Sequence, residues 1–262
     1  MIEKIHNLLD LLKLRHTREV IEEVLAQAQK NKPSYSAFLF NLLQQDYENK
    51  RNHTLATRIK KCGLSEYWTL ETFPWHIQKC LQKYKRTILE LAELDFIDRG
   101  ESVVFIGSSA VGKSGLASGI LLKALFAGRT AYCIKAGDLF DKLDASIADR
   151  STKSFLKRLS RLDLLLIDEF GYSTPPNQTL TNNFFRLMDF RCNRKSTMCT
   201  TNLGFKEWSK FLGNGPLVSA LLSRLLQKCH TFSFPVDALN LRDPILNLPT
   251  APPKPPILDL LQ

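Results

Sequence analysis

One short stretch of the chain has the residue types and spacing that bind phosphate groups. Its nine residues are Gly107, Ser108, Ser109, Ala110, Val111, Gly112, Lys113, Ser114 and Gly115. They contain the pattern G-x-x-x-x-G-K-[ST], whose glycines let consecutive backbone N–H groups curl around an anion. Lys113 brings a cation to the β- and γ-phosphates of a nucleotide, and the Ser114 hydroxyl offers Mg²⁺ a hard oxygen ligand. The stretch therefore predicts a site for a nucleotide and Mg²⁺.

The residues on either side predict the elements that must position this phosphate loop. Residues 103–106 (VVFI) are typical of a buried strand, and residues 116–125 favour a helix. A helix that begins at the loop directs the positive end of its dipole toward the bound phosphates. Strand, loop and helix together support the nucleotide interpretation more strongly than the pattern alone does.

Two carboxylates form a second candidate group. Asp168 and Glu169 end the apolar run at residues 164–167 (LLLI). In open α/β sheets, ligands bind beyond the carboxyl ends of the strands, where the phosphate loop also emerges. We expect Asp168 to join Ser114 at Mg²⁺, directly or through water, and Glu169 to polarise a water for attack on the γ-phosphate. The pair predicts hydrolysis of a nucleoside triphosphate.

Three later residues are candidates for contacts with the reacting phosphate. Asn202 follows the predicted strand at residues 196–201 (STMCTT), and its amide can both donate and accept hydrogen bonds without adding charge. Arg224 and Arg242 carry guanidinium groups that can meet phosphate oxygens in a bidentate fork. A turn role for the asparagine and surface roles for the arginines explain the same residues, and both alternatives stay open.

The composition limits the class of protein and its location. The chain has 262 residues, of which 44% are hydrophobic and 24% are charged, as in ordinary globular proteins. Its six cysteines form no C-x-x-C pair, which favours a reducing, cytoplasmic location. No apolar run approaches the roughly 20 residues of a membrane-spanning helix, so we expect no membrane partner.

The charge of the chain makes polyanions plausible partners. The formal net charge is +10, and two segments are especially basic, residues 50–86 and residues 150–161. Basic side chains neutralise nucleic-acid phosphates and release counterions, so either segment could contact DNA. A solvated helix face explains the same pattern, and the sequence leaves both readings open.

The order of predicted elements indicates a small helical domain followed by an α/β domain. Apolar residues at helical spacing predict three helices near residues 2–12, 20–28 and 38–43, followed by a connector at residues 69–75 and a helix at residues 77–97. Alternating strands and helices then predict a parallel sheet covered on both faces. We predict a helical domain at residues 1–68, an α/β domain at 69–245 and a proline-rich tail at 246–262, which is a linker or a partner-binding peptide.

At this point the order of motifs resembles a known family. The motifs GSSAVGKS, LLLIDEFG and TTN, followed by a leucine-flanked arginine and a later arginine, resemble the AAA+ ATPases. Within them, the segments LETFPW, ILELAELDFIDRGESVVFIG and NLGFKEW are similar to the IstB-like transposition helper proteins, which are related to DnaC-like helicase loaders. The resemblance spans about residues 34–245.

The resemblance implies an AAA+ P-loop fold and a role for each motif. Walker A comprises Gly107, Gly112, Lys113 and Ser114; Walker B is Asp168 and Glu169; sensor 1 is Asn202; the arginine finger is Arg224; sensor 2 is Arg242. Two residues depart from the family pattern, Ser223 where an acid often precedes the finger and Asn240 where a serine commonly precedes sensor 2.

The family also implies a function. It implies an ATPase that forms a homo-oligomer on double-stranded DNA, selects target sites, and recruits or stimulates a partner transposase. The alternative is a helicase loader of the DnaC type, whose main ligand is a helicase. The basic segment at residues 50–86 favours duplex DNA over that alternative.

Overall fold

A computed structural model describes residues 1–213 and 215–243, together with residues 255 and 257. The chain forms two compact units, Met1–Arg58 and Ile59–Pro255. Compactness does not decide where a functional domain ends, so the boundaries predicted after residues 68 and 245 stay predictions. The predicted tail, residues 246–262, lies outside the described residues except for residues 255 and 257. No described helix is long and apolar enough to cross a membrane.

The N-terminal helices confirm the predicted helical pattern. They are α1 (Ile2–Leu11), α2 (Arg15–Asn31) and α3 (Tyr35–Lys61). The Ser34 hydroxyl accepts a hydrogen bond from the Ala37 N–H at 3.3 Å and so caps the start of α3. In the first unit, the nearly buried Asp46 accepts a 3.4 Å bond from the Thr17 N–H and pairs with Lys50 at 2.8 Å.

The prediction of a single helix at residues 77–97 is wrong. The chain instead forms a 3₁₀ turn (Lys79–Leu81), α4 (Gln82–Leu91) and α5 (Asp95–Asp98). Leu94 has a φ of +73° and interrupts the helix, although its side chain is buried and fits the apolar pattern. Burial of Leu94 in the folded unit overrides its local helix preference. The predicted connector, residues 69–75, contains no helix or strand.

The second unit contains the predicted parallel sheet. Its strands are β1 (Ser102–Ile106), β2 (Ala131–Lys135), β3 (Leu164–Phe170), β4 (Ser196–Thr201) and β5 (Cys229–Ser233). Every pairing is parallel, and the spatial order is β2-β3-β4-β1-β5. All the carboxyl ends therefore lie at one edge of the sheet. The predicted site residues follow β1 and β4 there, whereas Asp168 and Glu169, predicted to follow the third strand, lie in the last residues of β3.

Six helices connect and cover the strands. They are α6 (Lys113–Phe126), α7 (Ala136–Ala148), α8 (Thr152–Arg161), α9 (Gln178–Arg191), α10 (Phe205–Phe211) and α11 (Pro216–Gln227). The first four residues of β3 are buried, as expected of a parallel strand that is covered on both faces. The Asn177 side chain accepts a 2.9 Å bond from the Leu180 N–H and caps α9. The fold class predicted from the sequence is confirmed.

Candidate active site

The phosphate loop joins the end of β1 to the start of α6. Gly112 has a φ of +102°, and a Cβ placed on it would lie 2.8 Å from Cζ of Phe73, so conformation and space both demand glycine there. Ala110 also adopts a positive φ, +60°. The backbone of the loop therefore makes the sharp turn that lets successive N–H groups face one anion.

Residues outside the motif brace this loop. The Gln78 amide donates hydrogen bonds to the Val111 carbonyl at 3.1 Å and the Leu239 carbonyl at 2.6 Å. The Leu241 N–H donates to the Ala110 carbonyl at 2.8 Å. The loop is thus fixed by a segment before β1 and by another after β5. Sequence reasoning missed this role of Gln78, since nothing in its neighbours marks a long-range contact.

Lys113 is held inside the loop. Its ammonium donates to the Gly107 carbonyl at 2.9 Å and the Ser108 carbonyl at 2.6 Å, and the residue is only 6% exposed. Burial lowers the pKa of Lys113 to about 8, against the opposing effect of Asp168 and Glu169. A desolvated cation is placed where the motif positions the β/γ-phosphates, so an arriving anion would stabilise its charge.

Asp168 lies beside Ser114, as the sequence predicts for these two residues. The Ser114 hydroxyl donates to Oδ1 of Asp168 at 2.8 Å, and the Thr200 hydroxyl from β4 donates to the same oxygen. Hydroxyl and carboxylate oxygens are the hard ligands that Mg²⁺ prefers. Among the described residues, no group of three or more His, Cys, Asp or Glu side chains could hold a metal. Mg²⁺ would therefore take its remaining ligands from phosphate and water, its usual arrangement at nucleotides.

Glu169 projects from an irregular point in β3. The pairing register with β4 shifts between Ile167 and Phe170, and Glu169 has a φ of +58°. Its N–H donates to the Thr200 hydroxyl at 3.0 Å. Its carboxylate pairs with Nζ of Lys135, at the end of β2, at 2.9 Å, and this bond raises the pKa of Lys135. The carboxylate is 42% exposed, so water can reach it.

Asn202 lies at the same edge of the sheet, directly after β4, and is exposed. Its amide oxygen would lie 3.3 Å from a Cβ placed on Gly171, which follows β3. The structure therefore places Asn202 close to the turn after the carboxylate pair. Its role as sensor 1 stays a prediction.

The two late arginines lie apart from this group. Arg224, on α11, is exposed, and among the described residues its ion-pair partner is Asp189 of α9. Arg242 is exposed, and its N–H donates to the Asn240 side chain at 2.9 Å. Its neighbour Leu241 bonds to the phosphate loop, so the segment that carries Arg242 reaches the site even though no described contact joins the guanidinium to it.

Sequence reasoning missed three side chains that touch the predicted residues. They are Lys135 beside Glu169, Thr200 beside Asp168, and Tyr172, whose hydroxyl is 3.5 Å from Nζ of Lys113. A hydroxyl in a fully buried strand next to the site was the one signal available for Thr200. Lys135 and Tyr172 give no signal of their own, because a charged or aromatic residue after a strand is ordinary.

Comparison with known proteins identifies the family. The family model described as IstB-like ATP binding protein matches residues 7–245 of the chain. The chain belongs to this family. Its phosphate loop and parallel sheet are accordingly those of an IstB-like ATP-binding protein with the AAA+ P-loop fold, and the Walker B role of Asp168 and Glu169 stays a prediction.

Individual relatives agree with this assignment. The chain is 31% identical over 236 residues to an insertion sequence IS21 putative ATP-binding protein of Pseudomonas aeruginosa, covering 90% of this chain and 88% of the relative. It is 31% identical over 244 residues to an IS5376 putative ATP-binding protein of Geobacillus stearothermophilus, covering 93% and 96%. The solved DnaC helicase loader matches with a TM-score of 0.50 and 23% identity over 58% of this chain and 89% of that chain, a likeness of fold alone.

Proposed function

We propose that this IstB-like chain is an ATPase that assembles on double-stranded DNA, selects target sites for transposition and recruits or stimulates a partner transposase. The observation that carries the enzymatic part is the 2.8 Å bond between Ser114 of the phosphate loop and Asp168 of β3. It brings the two predicted Mg²⁺ ligands together within a few residues of Lys113 and Glu169. ATP binding agrees with the family, and hydrolysis is the step that this arrangement supports.

Each residue of the site has a distinct task in that proposal. Ser114 and Asp168 would hold Mg²⁺, which when bound neutralises charge on the β- and γ-phosphates. Lys113 would contact the same phosphates with its ammonium group. Glu169 would take a proton from the attacking water, which its partial exposure allows.

A basic helix surface supports DNA as a partner. Helix α8 exposes Lys153, Lys157, Arg158 and Arg161 and contains no acidic residue, while its Leu156 and Leu159 are buried. The cations therefore share the outer face of the helix, opposite the core. The net charge of +10 also attracts the negatively charged DNA over longer distances. Duplex phosphates suit such a surface, because each contact releases a condensed counterion.

The relatives and the arginines support the remaining parts of the proposal. Both relatives named above carry insertion-sequence descriptions, which is the reason to propose a transposase as the partner. Arg224 is exposed and paired with Asp189 rather than with the phosphate site, which suits a residue that acts on a neighbouring copy of the chain. The proposal puts the protein in the cytoplasm, together with its DNA and transposase.

The test is ATP hydrolysis across a protein titration, without DNA, with duplex and with single-stranded DNA, at two salt concentrations. We expect turnover that rises steeply with protein concentration, increases with duplex and weakens at the higher salt. The Lys113→Ala variant should be inactive in every arm, and Lys123→Ala on the same helix should match the native protein. Indifference to duplex would contradict the proposal, and tight binding to a helicase would then favour a loader.

A further inference from the structure

Tyr172 is held over the phosphate loop by the turn that follows the Walker B carboxylates. Gly171 has a φ of +90°, and a Cβ placed on it would lie 2.3 Å from Cδ1 of Leu203. The Tyr172 N–H donates to the Glu169 carbonyl at 3.2 Å and closes the turn. The backbone is therefore fixed in a bend that directs the tyrosine ring back toward the loop.

The phenol meets two residues of the loop. Its oxygen is 3.5 Å from Nζ of Lys113, which lies 5.9 Å from the ring centroid, and the Ser109 side chain is near enough to act against the raised pKa of the phenol. The residue is 44% exposed, so one side of the ring faces solvent. A side chain from the turn after β3 thus reaches the phosphate loop.

The hydrogen-bonding roles at the phenol leave its proton available. The Lys113 ammonium can only donate to the phenol oxygen, whereas the Ser109 hydroxyl can donate or accept. Burial raises the pKa of Tyr172, so the phenol keeps its proton at neutral pH. Lys113 therefore meets the phenol oxygen as a donor, which leaves the phenol O–H able to donate to an anion.

We propose that Tyr172 is a nucleotide-binding residue that donates its O–H to the terminal phosphate of ATP and so distinguishes ATP from ADP. The inference rests on the proposed nucleotide site. Lys113 marks the β/γ end of the phosphates by its place in the motif, and the phenol lies between Lys113 and the turn that carries Glu169. A donor at that position meets the γ-phosphate and has no equivalent acceptor in ADP.

The test compares nucleotide affinities of Tyr172→Phe and native protein by titration calorimetry with Mg²⁺. The probes are ADP and AMPPCP, a non-hydrolysable ATP analogue. We expect AMPPCP to bind the variant about tenfold more weakly, as for a lost hydrogen bond to a charged group, while ADP stays within about twofold. Tyr132→Phe, which removes a hydroxyl from β2, is the matched control and should leave both affinities unchanged.

Other outcomes overturn the inference in recognisable ways. An equal loss for both nucleotides would show that the phenol only supports the loop. Unchanged or tighter AMPPCP binding would show that no contact with the terminal phosphate exists. If the native protein bound neither nucleotide, the proposed function itself would fail, and the Tyr172 inference with it.

Discussion

The phosphate site and the two late arginines differ in how the folded chain holds them. Lys113, Ser114 and Asp168 are joined to the loop or to one another by short hydrogen bonds. Arg224 and Arg242 are exposed, and their described hydrogen bonds and ion pairs lie outside that group. One protomer therefore holds a connected set of groups for binding a nucleotide, whereas its candidate charge-stabilising arginines lie elsewhere.

In the proposed function, this difference corresponds to a division of labour between copies of the chain. Nucleotide binding needs residues that are preorganised within one protomer. Charge that develops during phosphoryl transfer can be stabilised by a guanidinium from a neighbour, at a contribution of about 10³–10⁵ in rate. Variants that affect only one of the two regions can test whether the two regions have these separate roles.

The largest effect is expected from Arg224→Ala. If Arg224 completes the site of a neighbour, the variant should lose about 10³–10⁵-fold in DNA-stimulated turnover while its ATP affinity stays native. Asp189→Asn is the matched control, because it removes the same exposed ion pair and leaves the arginine in place. Equal losses of turnover in both variants would show that only the pair matters, and that Arg224 has no role in the reaction.

The next effect is expected from Glu169→Gln. If Glu169 is the general base, its replacement by an amide should lower turnover by about 10²–10⁴-fold, with nucleotide binding retained. Mixing this variant with Arg224→Ala tests the division of labour, because a Glu169→Gln protomer can supply the arginine to a neighbour with an intact carboxylate. Turnover of the mixture above that of either variant is the expected result. Normal hydrolysis by Glu169→Gln alone would refute the role of Glu169.

The pH dependence of ATP binding should report Lys113. Its pKa in the free protein is about 8, and bound phosphate would raise that value because it stabilises the ammonium. Affinity should therefore be greatest below pH 8 and fall as the pH rises above 8, by about tenfold per unit. Calorimetry near pH 8 in buffers of different ionisation enthalpy should show proton uptake on binding. An affinity that is flat from pH 7 to 9.5 would contradict this assignment.

The smallest effect is expected from Lys135→Met. The ion pair of Lys135 with Glu169 is about half exposed and worth at most about 1 kcal/mol, so its loss should free the carboxylate and raise DNA-independent turnover about two- to fivefold. Lys142→Met, on the exposed side of α7, is the control. Lower turnover in Lys135→Met alone would mean that Lys135 helps to orient the Glu169 carboxylate.

The fold was predictable to the extent that local patterns record it. Buried apolar runs predicted β1 and β3, and helical spacing predicted the N-terminal helices, because burial on one or both faces leaves a period in the sequence. The helix predicted through Leu94 failed for the same reason. The sequence does not record whether an apolar residue such as Leu94 adopts the helical or the left-handed conformation. The packing around the residue decides between the two.

The candidate site was predictable where the residue types and spacing of a short motif are enough to indicate its chemistry. The phosphate loop and Asp168 lie at the edge where parallel strands end. Thr200, Lys135 and Tyr172 reach the same place from β4, from β2 and from a turn, and their contacts depend on strand order, which the sequence does not state. The contacts of Gln78 were even less predictable, because its amide donates to carbonyls far away in the chain, at residues 111 and 239.

That bracing by Gln78 has a consequence for engineering. The nine residues from Gly107 to Gly115 are easily copied into another strand–helix junction as letters. Their shape is not so easily transferred, because the carbonyls of Ala110 and Val111 are bonded to partners about 30 residues earlier and 130 residues later in the chain. The smallest segment that would keep these hydrogen bonds when transferred to another protein therefore runs from Gln78 to Leu241, which is nearly the whole second unit.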